Sequence, residues 1–297
     1  MEENFKQSYK GKCKVLHQLM EGYASENVAV AFSGGADSSL LLKLAVMHAG
    51  KTGKRVIAVT ASTELHPAKD EASAKQAASE AGAEHRILTV SELQFEGIKR
   101  NPADRCYHCK KYLFGAIRDE AAKAGAFVVL EGTNADDLKE YRPGLRAVEE
   151  LGIRSPLKEA GFTKKEVRKL AQEYGISAAN RPSAPCLATR FPYGEELTME
   201  KLRRVERGEE CLKGLGLYNV RLRVHGNVAR IEADAGDMGK LLEAGNQVVR
   251  KLKELGYTYI TLDLEGFRSG SMDEALPPET FGKGLSFDRC VIENHEK

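Results

Sequence analysis

Along the chain, a short stretch with apolar Val15, Leu16, Leu19 and Met20 is followed by five consecutive apolar residues, Val28 to Phe32. The stretch predicts a helix; the run predicts a strand buried on both faces. Residues 38–48 then carry Leu40, Leu41, Leu42, Leu44, Ala45, Val46 and Met47, apolar nearly all round over a helix length. That pattern predicts a buried helix. Further strands are expected over residues 55–60, 86–90 and 127–131, with an alanine-rich helix over 68–81. Strands alternating with helices imply a parallel sheet.

Thr163 and Glu166 have capping-box spacing, which predicts a helix running to about Tyr174, before Gly175. The texture then changes. Residues 177–193 contain Pro182, Pro185 and Pro192 and little periodicity, which suits a domain junction or a loop held by a site. A boundary near Ala178 divides the chain into expected domains of residues 1–177 and 178–297. Beyond it a helix is expected over 198–212 and two alternating runs over 220–233, folded at His225, Gly226 and Asn227. One helix over 238–255 and a strand over 257–264 complete a β-β-α-β unit, and from Arg268 the chain reads as irregular. The expected fold is α/β: a parallel-sheet domain followed by a smaller α+β domain.

Composition narrows the function. With 297 residues and 42% apolar content, the chain can bury one large core and a smaller one. Charged residues make up 30% but nearly cancel to +2, so nothing global points to nucleic acid or a membrane surface. No apolar run approaches the roughly twenty residues of a membrane span, and the start, MEENFKQSYKGKCK, has no secretory apolar core. A cytoplasmic protein is expected. Six cysteines are scattered through a chain too large to need disulfide staples, which favours a reducing compartment and free or functional thiols.

The segment SGGADSS, Ser33 to Ser39, falls between the first buried strand and the buried helix, where an α/β sheet presents a helix amino terminus to ligands. Gly34 and Gly35 allow close backbone approach and positive φ, while helix-start amides and the Ser33 and Ser38 hydroxyls can donate to phosphate oxygens. The bland alternative is a glycine turn with Asp37 and Ser38 capping a helix. The Walker spacing is absent, which disfavours a kinase or ordinary ATPase. After the fourth expected strand comes GTNADD, Gly132 to Asp137, at the same end of the sheet. Asp136 and Asp137 are oxygen donors suited to Mg²⁺, or alternatively a helix cap.

Two cysteine segments follow. In RCYHCK, Cys106 and Cys109 lie one helical turn apart. Such a pair suits zinc, an iron-sulfur cluster or a thiol of lowered pKa, although a metal needs further thiolates and no second C-x-x-C exists. A packing role is the alternative. In the proline-rich loop, Cys186 has Arg181 and Arg190 close in sequence, and basic neighbours favour the thiolate a nucleophile requires. In the expected hairpin, Arg221 and Arg223 share one face, suited to a substrate phosphate or carboxylate, or to a solvated ion-pair face. Glu206, Glu209 and Glu210 form a solvent-facing stripe, with Glu210 as a metal or base candidate.

SGGADSS resembles the SGGxDS signature of the pyrophosphatase-loop superfamily. That resemblance implies an adenine-nucleotide α-hydrolase fold, attack at the α phosphorus of ATP and departure of pyrophosphate, with Thr133, Asn134 and Asp136 near the nucleotide. SGGADSS, RCYHCK, GTNADD followed by RPG, SPL at Ser155 to Leu157, and CLATRFPYG are, in this order, similar to the LarE family of ATP-dependent sulfur transferases. The likeness spans roughly residues 28–265. It implies adenylation of a pyridinium dicarboxylate mononucleotide, destined for the nickel-pincer cofactor of lactate racemase. Cys186 would then attack the activated carbonyl and give up its sulfur, becoming dehydroalanine. Some relatives instead gather three cysteines round an iron-sulfur cluster; only Cys186 stands in the matching loop here, so the sacrificial route is favoured. The resemblance also implies a homo-oligomer, a hexamer among the options. The base for the elimination is open among His66, His108 and His225. Rival readings are an ammonia-dependent synthetase, a tRNA thiolase, and a nucleotide-binding sensor without chemistry. Ammonia-dependent or tRNA-dependent pyrophosphate release would separate the first two, and ATP binding without any release would favour the third.

Overall fold

The computed structural model describes residues 8–139, 141–181 and 185–277. Pro182 of the expected junction, and Cys290 with the end of the irregular tail, lie outside them. Strands β1 (Val28–Ala31), β2 (Val56–Thr63), β3 (Glu84–Val90) and β4 (Val128–Leu130) form a parallel sheet in the order β3-β2-β1-β4. Because β1 has β2 on one side and β4 on the other, the strand order reverses there. The crevice beyond the carboxyl ends of β1 and β4 is where such sheets bind ligands.

Both faces of the sheet are covered, which is why its strands read as unbroken apolar runs. On one face pack the helices Tyr9–Tyr23, Ala36–Thr52, Ala68–Ala81 and Lys164–Glu173, burying Leu16, Met20, Leu40, Leu41, Leu44 and Leu170. The helix Arg105–Lys123 and the short helix Gly144–Glu150 cover the other, through Ile117, Ala121 and Val148. The capping box at Thr163 is present with both of its hydrogen bonds.

In the second half, β5 (Val220–His225) and β6 (Val228–Ala233) form the antiparallel hairpin, and β7 (Tyr259–Leu262) pairs parallel to β6. The helix Met199–Lys213 lies close on β5: a Cβ on Gly208 would come within 2.5 Å of a Leu222 methyl. The single helix expected over 238–255 is two, Met238–Glu243 and Gly245–Glu254, broken at Ala244. Gly245, which costs about 1 kcal/mol inside a helix, follows directly and weakens continuation.

The two sheets share a core. Leu65 and Ile98 of the first half pack in one apolar cluster with Leu187, Phe191, Leu202, Leu222 and Leu252 of the second. Among the described residues no helix is long and apolar enough to cross a membrane.

Candidate active site

The loop after β1 is built around one turn. Gly34 has φ +69°, and a Cβ on it would stand 2.9 Å from the Ala74 Cα, so the position excludes any side chain. Gly35 caps the helix Ala36–Thr52 with extended backbone at φ −81°, and no side chain caps its first-turn amides. Those amides, with the helix dipole behind them, form an anion cradle. Ser33 and Ser38 hydroxyls lie 3.1 Å apart beside it.

The loop after β4 locks onto this turn. A Cβ on Gly132 would sit 3.0 Å from the Asp37 Cβ, so glycine permits the approach. Asn134 Nδ2 donates to Asp37 Oδ1 at 3.3 Å, and the Lys164 ammonium is hydrogen-bonded to the other Asp37 oxygen. Lys164 also donates its backbone N–H to Asp136 at 2.8 Å. Nothing in the sequence pattern marked Lys164, because its partner stands 127 residues away. Thr133 turns inward: its N–H and hydroxyl donate to the buried Glu131 carboxylate at 3.0 and 2.8 Å, so its hydroxyl proton is not offered to a phosphate. Asp136 accepts from Lys139 at 2.8 Å, which with the Lys164 amide lowers its pKa. Asp137 accepts from the Asn134 N–H at 3.0 Å and pairs with Arg142 at 2.9 Å.

Arg181 belongs to this loop rather than to the thiol. It is exposed, and its Nη1 donates to the Gly34 carbonyl at 3.1 Å.

Cys186 opens a 3₁₀ turn, Leu187–Arg190, whose first N–H donates to the Leu65 carbonyl at 2.7 Å. Arg190 holds this turn and is not an open substrate receptor. It is 3% exposed, its Nε and Nη2 meet the Glu209 carboxylate at 2.7 and 3.0 Å, and its Nη1 donates to the Pro185 and Cys186 carbonyls. The glutamate stripe is corrected accordingly: Glu209 is buried and only Glu210 of the adjacent pair faces solvent, away from this clamp. Arg223 is likewise committed, bonded to the buried Glu232 at 2.9 Å and to the Thr189 carbonyl at 2.9 Å. The arginine face of β5 is thus covered, neither solvated nor open along its length. Arg221 lies over the Phe267 ring, and its pKa is pushed down to about 10 by burial and then by Arg190 and Arg223.

Around Cys186 gather Arg105, Cys106, Glu92 and Arg190, the groups whose charges act most on its thiol. Burial pushes the thiol up, Cys106 and Glu92 add to this, and Arg105 and Arg190 oppose it. The net rise reverses the expectation of a thiolate favoured by basic neighbours. Cys109 is raised further, by burial first and then by Glu92, Cys186 and Cys106. Cys109 and Cys186 pack against the same apolar cluster, and the exposed Cys106 is near enough for its charge to act on both. Among the described residues, however, no three His, Cys, Asp or Glu side chains group closely enough to hold a metal ion. His108 bonds Asp104, His66 bonds Thr63, and His225 ends β5; none is among the groups acting most on Cys186.

A parallel sheet with a glycine-bearing anion cradle at its switch point, interlocked with an Asn/Asp loop, defines an ATP-using enzyme of the pyrophosphatase-loop class. Residues 20–147 match the asparagine synthase family model. Over 251 residues, 84% of this chain and 90% of the relative, the sequence is 41% identical to the pyridinium-3,5-bisthiocarboxylic acid mononucleotide synthase of Lactiplantibacillus plantarum. Uncharacterized proteins of Synechocystis and Methanocaldococcus jannaschii are 39% and 33% identical, covering 84% and 86% of this chain and 93% and 96% of their own lengths. The chain belongs to the LarE family of ATP-dependent sulfur transferases.

Proposed function

We propose that this chain adenylates a carboxylate of pyridinium-3,5-dicarboxylate mononucleotide and converts it to a thiocarboxylate with sulfur from Cys186. The observation that carries the reading is the clamp on Cys186: a buried arginine, itself locked on a buried glutamate, fixes the backbone carbonyl of the one cysteine in the loop. Such a clamp fixes the backbone that carries the thiol, which limits how far the sulfur can stray from a bound acyl group. The ATP cradle would hold the β and γ phosphates while the substrate carboxylate attacks the α phosphorus. Mg²⁺, if held beside the cradle, would supply positive charge to offset that of departing pyrophosphate. Asp136 and Asp137 are the hard oxygen donors beside the cradle that suit it.

After attack expels AMP, loss of the Cys186 Cα proton to a base and cleavage of its Cβ–S bond leave a thiocarboxylate on the product and dehydroalanine in the chain. The enzyme is cytoplasmic and homo-oligomeric in this reading, with the second half, from Ala178, bearing the thiol and substrate groups. Nickel-pincer cofactor assembly for a lactate racemase is the pathway it would serve.

A second reading draws support from Cys106, Cys109 and Cys186 lying within reach of one another's charges, since three thiolates are a ligand set for an iron-sulfur cluster. As placed, the three do not close into a metal-binding group, so they do not fit a cluster and no step is derived through one.

Incubation with ATP, Mg²⁺ and the mononucleotide, followed by peptide mass spectrometry, tests the proposal. Loss of one hydrogen sulfide from the Cys186 peptide with stoichiometric pyrophosphate supports the sacrificial route. An unchanged Cys186 with repeated turnover, and iron and sulfide in anaerobically purified protein, would instead establish the second reading.

A further inference from the structure

Glu131 follows β4 directly and is 4% exposed, a carboxylate buried at the carboxyl end of the sheet. Such a group is costly unless its oxygens are filled. Here they are. The Thr133 N–H and hydroxyl donate at 3.0 and 2.8 Å, the Ser155 hydroxyl donates to Oε1, and the Lys110 ammonium stands 3.8 Å from Oε2. The backbone is fixed as well: the Glu131 N–H donates to the Arg154 carbonyl at 2.9 Å, and Leu130 bridges Arg154 in parallel, which brings Ser155 up beside the end of β4.

These partners come from three of the segments that stand out in the sequence: Thr133 from GTNADD, Ser155 from SPL and Lys110 from RCYHCK. The fourth, RPG, makes room. A Cβ on Gly144 would stand 2.7 Å from the Lys110 Cδ and 3.0 Å from the Cys106 carbonyl oxygen, so glycine there leaves space for the Lys110 stem. One carboxylate thus ties the loop after β4 to the helix that carries Cys106 and Cys109.

From Glu131 the contacts run on to the ATP cradle. Thr133 precedes Asn134, whose Nδ2 donates to Asp37 Oδ1 at 3.3 Å and so locks this loop onto the turn after β1. Past that point the loop is held by its own turn and by the second half of the same domain: the Asn134 N–H donates to Asp137 at 3.0 Å and the Ala135 N–H to the Phe162 carbonyl at 2.7 Å. On the β4 side the hold is the pair of Glu131 bonds to Thr133.

We propose that Glu131 is a positioning residue for adenylation: by gripping Thr133 it sets Asn134 against Asp37 and so fixes the mouth of the ATP cradle. This rests on the adenylation reading above and deepens it. Glu131 acts through Thr133 and Asn134 rather than on the nucleotide, and Ser155 and Lys110 hold the carboxylate in place.

The test compares wild type with Glu131→Ala, Glu131→Gln and Ser155→Ala. Glutamine keeps an oxygen for the Thr133 N–H while dropping the charge; alanine removes every acceptor. Two readouts are used, the ATP dissociation constant by titration calorimetry and the rate of pyrophosphate release with the mononucleotide at saturating ATP. Urea unfolding reports the fold. Glu131→Ala slows release at saturating ATP by about tenfold to a hundredfold, the effect of a small misplacement at a reacting centre. It weakens ATP binding by roughly three- to tenfold. Glu131→Gln recovers most of both. Ser155→Ala slows release less, and adds nothing on top of Glu131→Ala because both act through one carboxylate. A Glu131→Ala protein that unfolds at lower urea yet binds ATP and releases pyrophosphate as wild type does would mark Glu131 as structural and overturn the proposal. Glutamine as impaired as alanine also overturns it, since the effect would then belong to the charge and not to the grip on Thr133. If wild type itself releases no pyrophosphate, the functional reading fails, while the ATP dissociation constants of the alanine and glutamine variants still decide whether Glu131 sets the cradle.

Discussion

Gly34 and Gly35 read alike in the sequence, since either could supply the positive φ that a phosphate turn uses, yet their demands differ sharply. Gly34 sits at φ +69° with the Ala74 backbone 2.9 Å from where a Cβ would stand, whereas Gly35 is extended and its nearest neighbour is the Ser33 hydroxyl at 3.4 Å. Gly34→Ala therefore strains the backbone and must push the helix Ala68–Ala81 away, costing about 1–3 kcal/mol and the ATP response. Gly35→Ala costs less than about 1 kcal/mol. Urea unfolding and the ATP-induced rise in Tm read both, and equal losses would refute the distinction. The same limit of local pattern hid Lys164. Its partner Asp37 stands 127 residues away, so its role emerges once the fold has closed.

Elements were legible where one period dominated: the buried helix after β1, the alanine-rich helix Ala68–Ala81 and the hairpin of β5 and β6. Illegible was which polar positions the packing of those elements would bury. On the helix Met199–Lys213, Glu209 reads as part of a charged stripe, but the helix settles on β5 through Gly208 and carries Glu209 inside to meet Arg190 and the Leu222 N–H. Although burial alone would raise it, Arg190 holds the Glu209 pKa down to about 2, against an ordinary value of 4.5. A depressed folded-state pKa stabilises fully above the unfolded value and fades as pH falls. The clamp's contribution is accordingly complete above about pH 4.5 and lost progressively toward pH 2. Glu209→Gln leaves Arg190 buried without its counter-ion and is expected to cost about 3 kcal/mol or more at neutral pH. Denaturant unfolding at a series of pH values checks this: the variant's stability should fall less steeply than wild type's between pH 4.5 and pH 2. Because the clamp also grips the Cys186 carbonyl, sulfur transfer should weaken with it.

At the scale of the whole molecule, the proline-rich stretch has the composition of a linker, and the sequence division near Ala178 follows from that. Its physical environment is different. Asn101, held at φ +49°, donates to the Phe191 and Pro192 carbonyls and accepts from the Gly194 N–H, so the first half clasps the very loop that composition assigns to a junction. Leu65 and Ile98 are 0% exposed in a cluster made mostly of second-half side chains. A linker between independent domains carries few contacts across it, whereas here an apolar core passes through. The chain should therefore unfold in one cooperative transition, with circular dichroism and loss of the ATP-induced Tm rise superimposing along a urea titration. A fragment ending at residue 177 keeps the whole parallel sheet and the ATP cradle but loses the cover over Leu65 and Ile98. Exposing that patch should make the fragment bind a hydrophobic dye and self-associate while its far-ultraviolet signal still reports helix. A monomeric, dye-free fragment that binds ATP as the full chain does would mean that the two halves are autonomous, and that the shared core contributes little to holding the Cys186 turn in place.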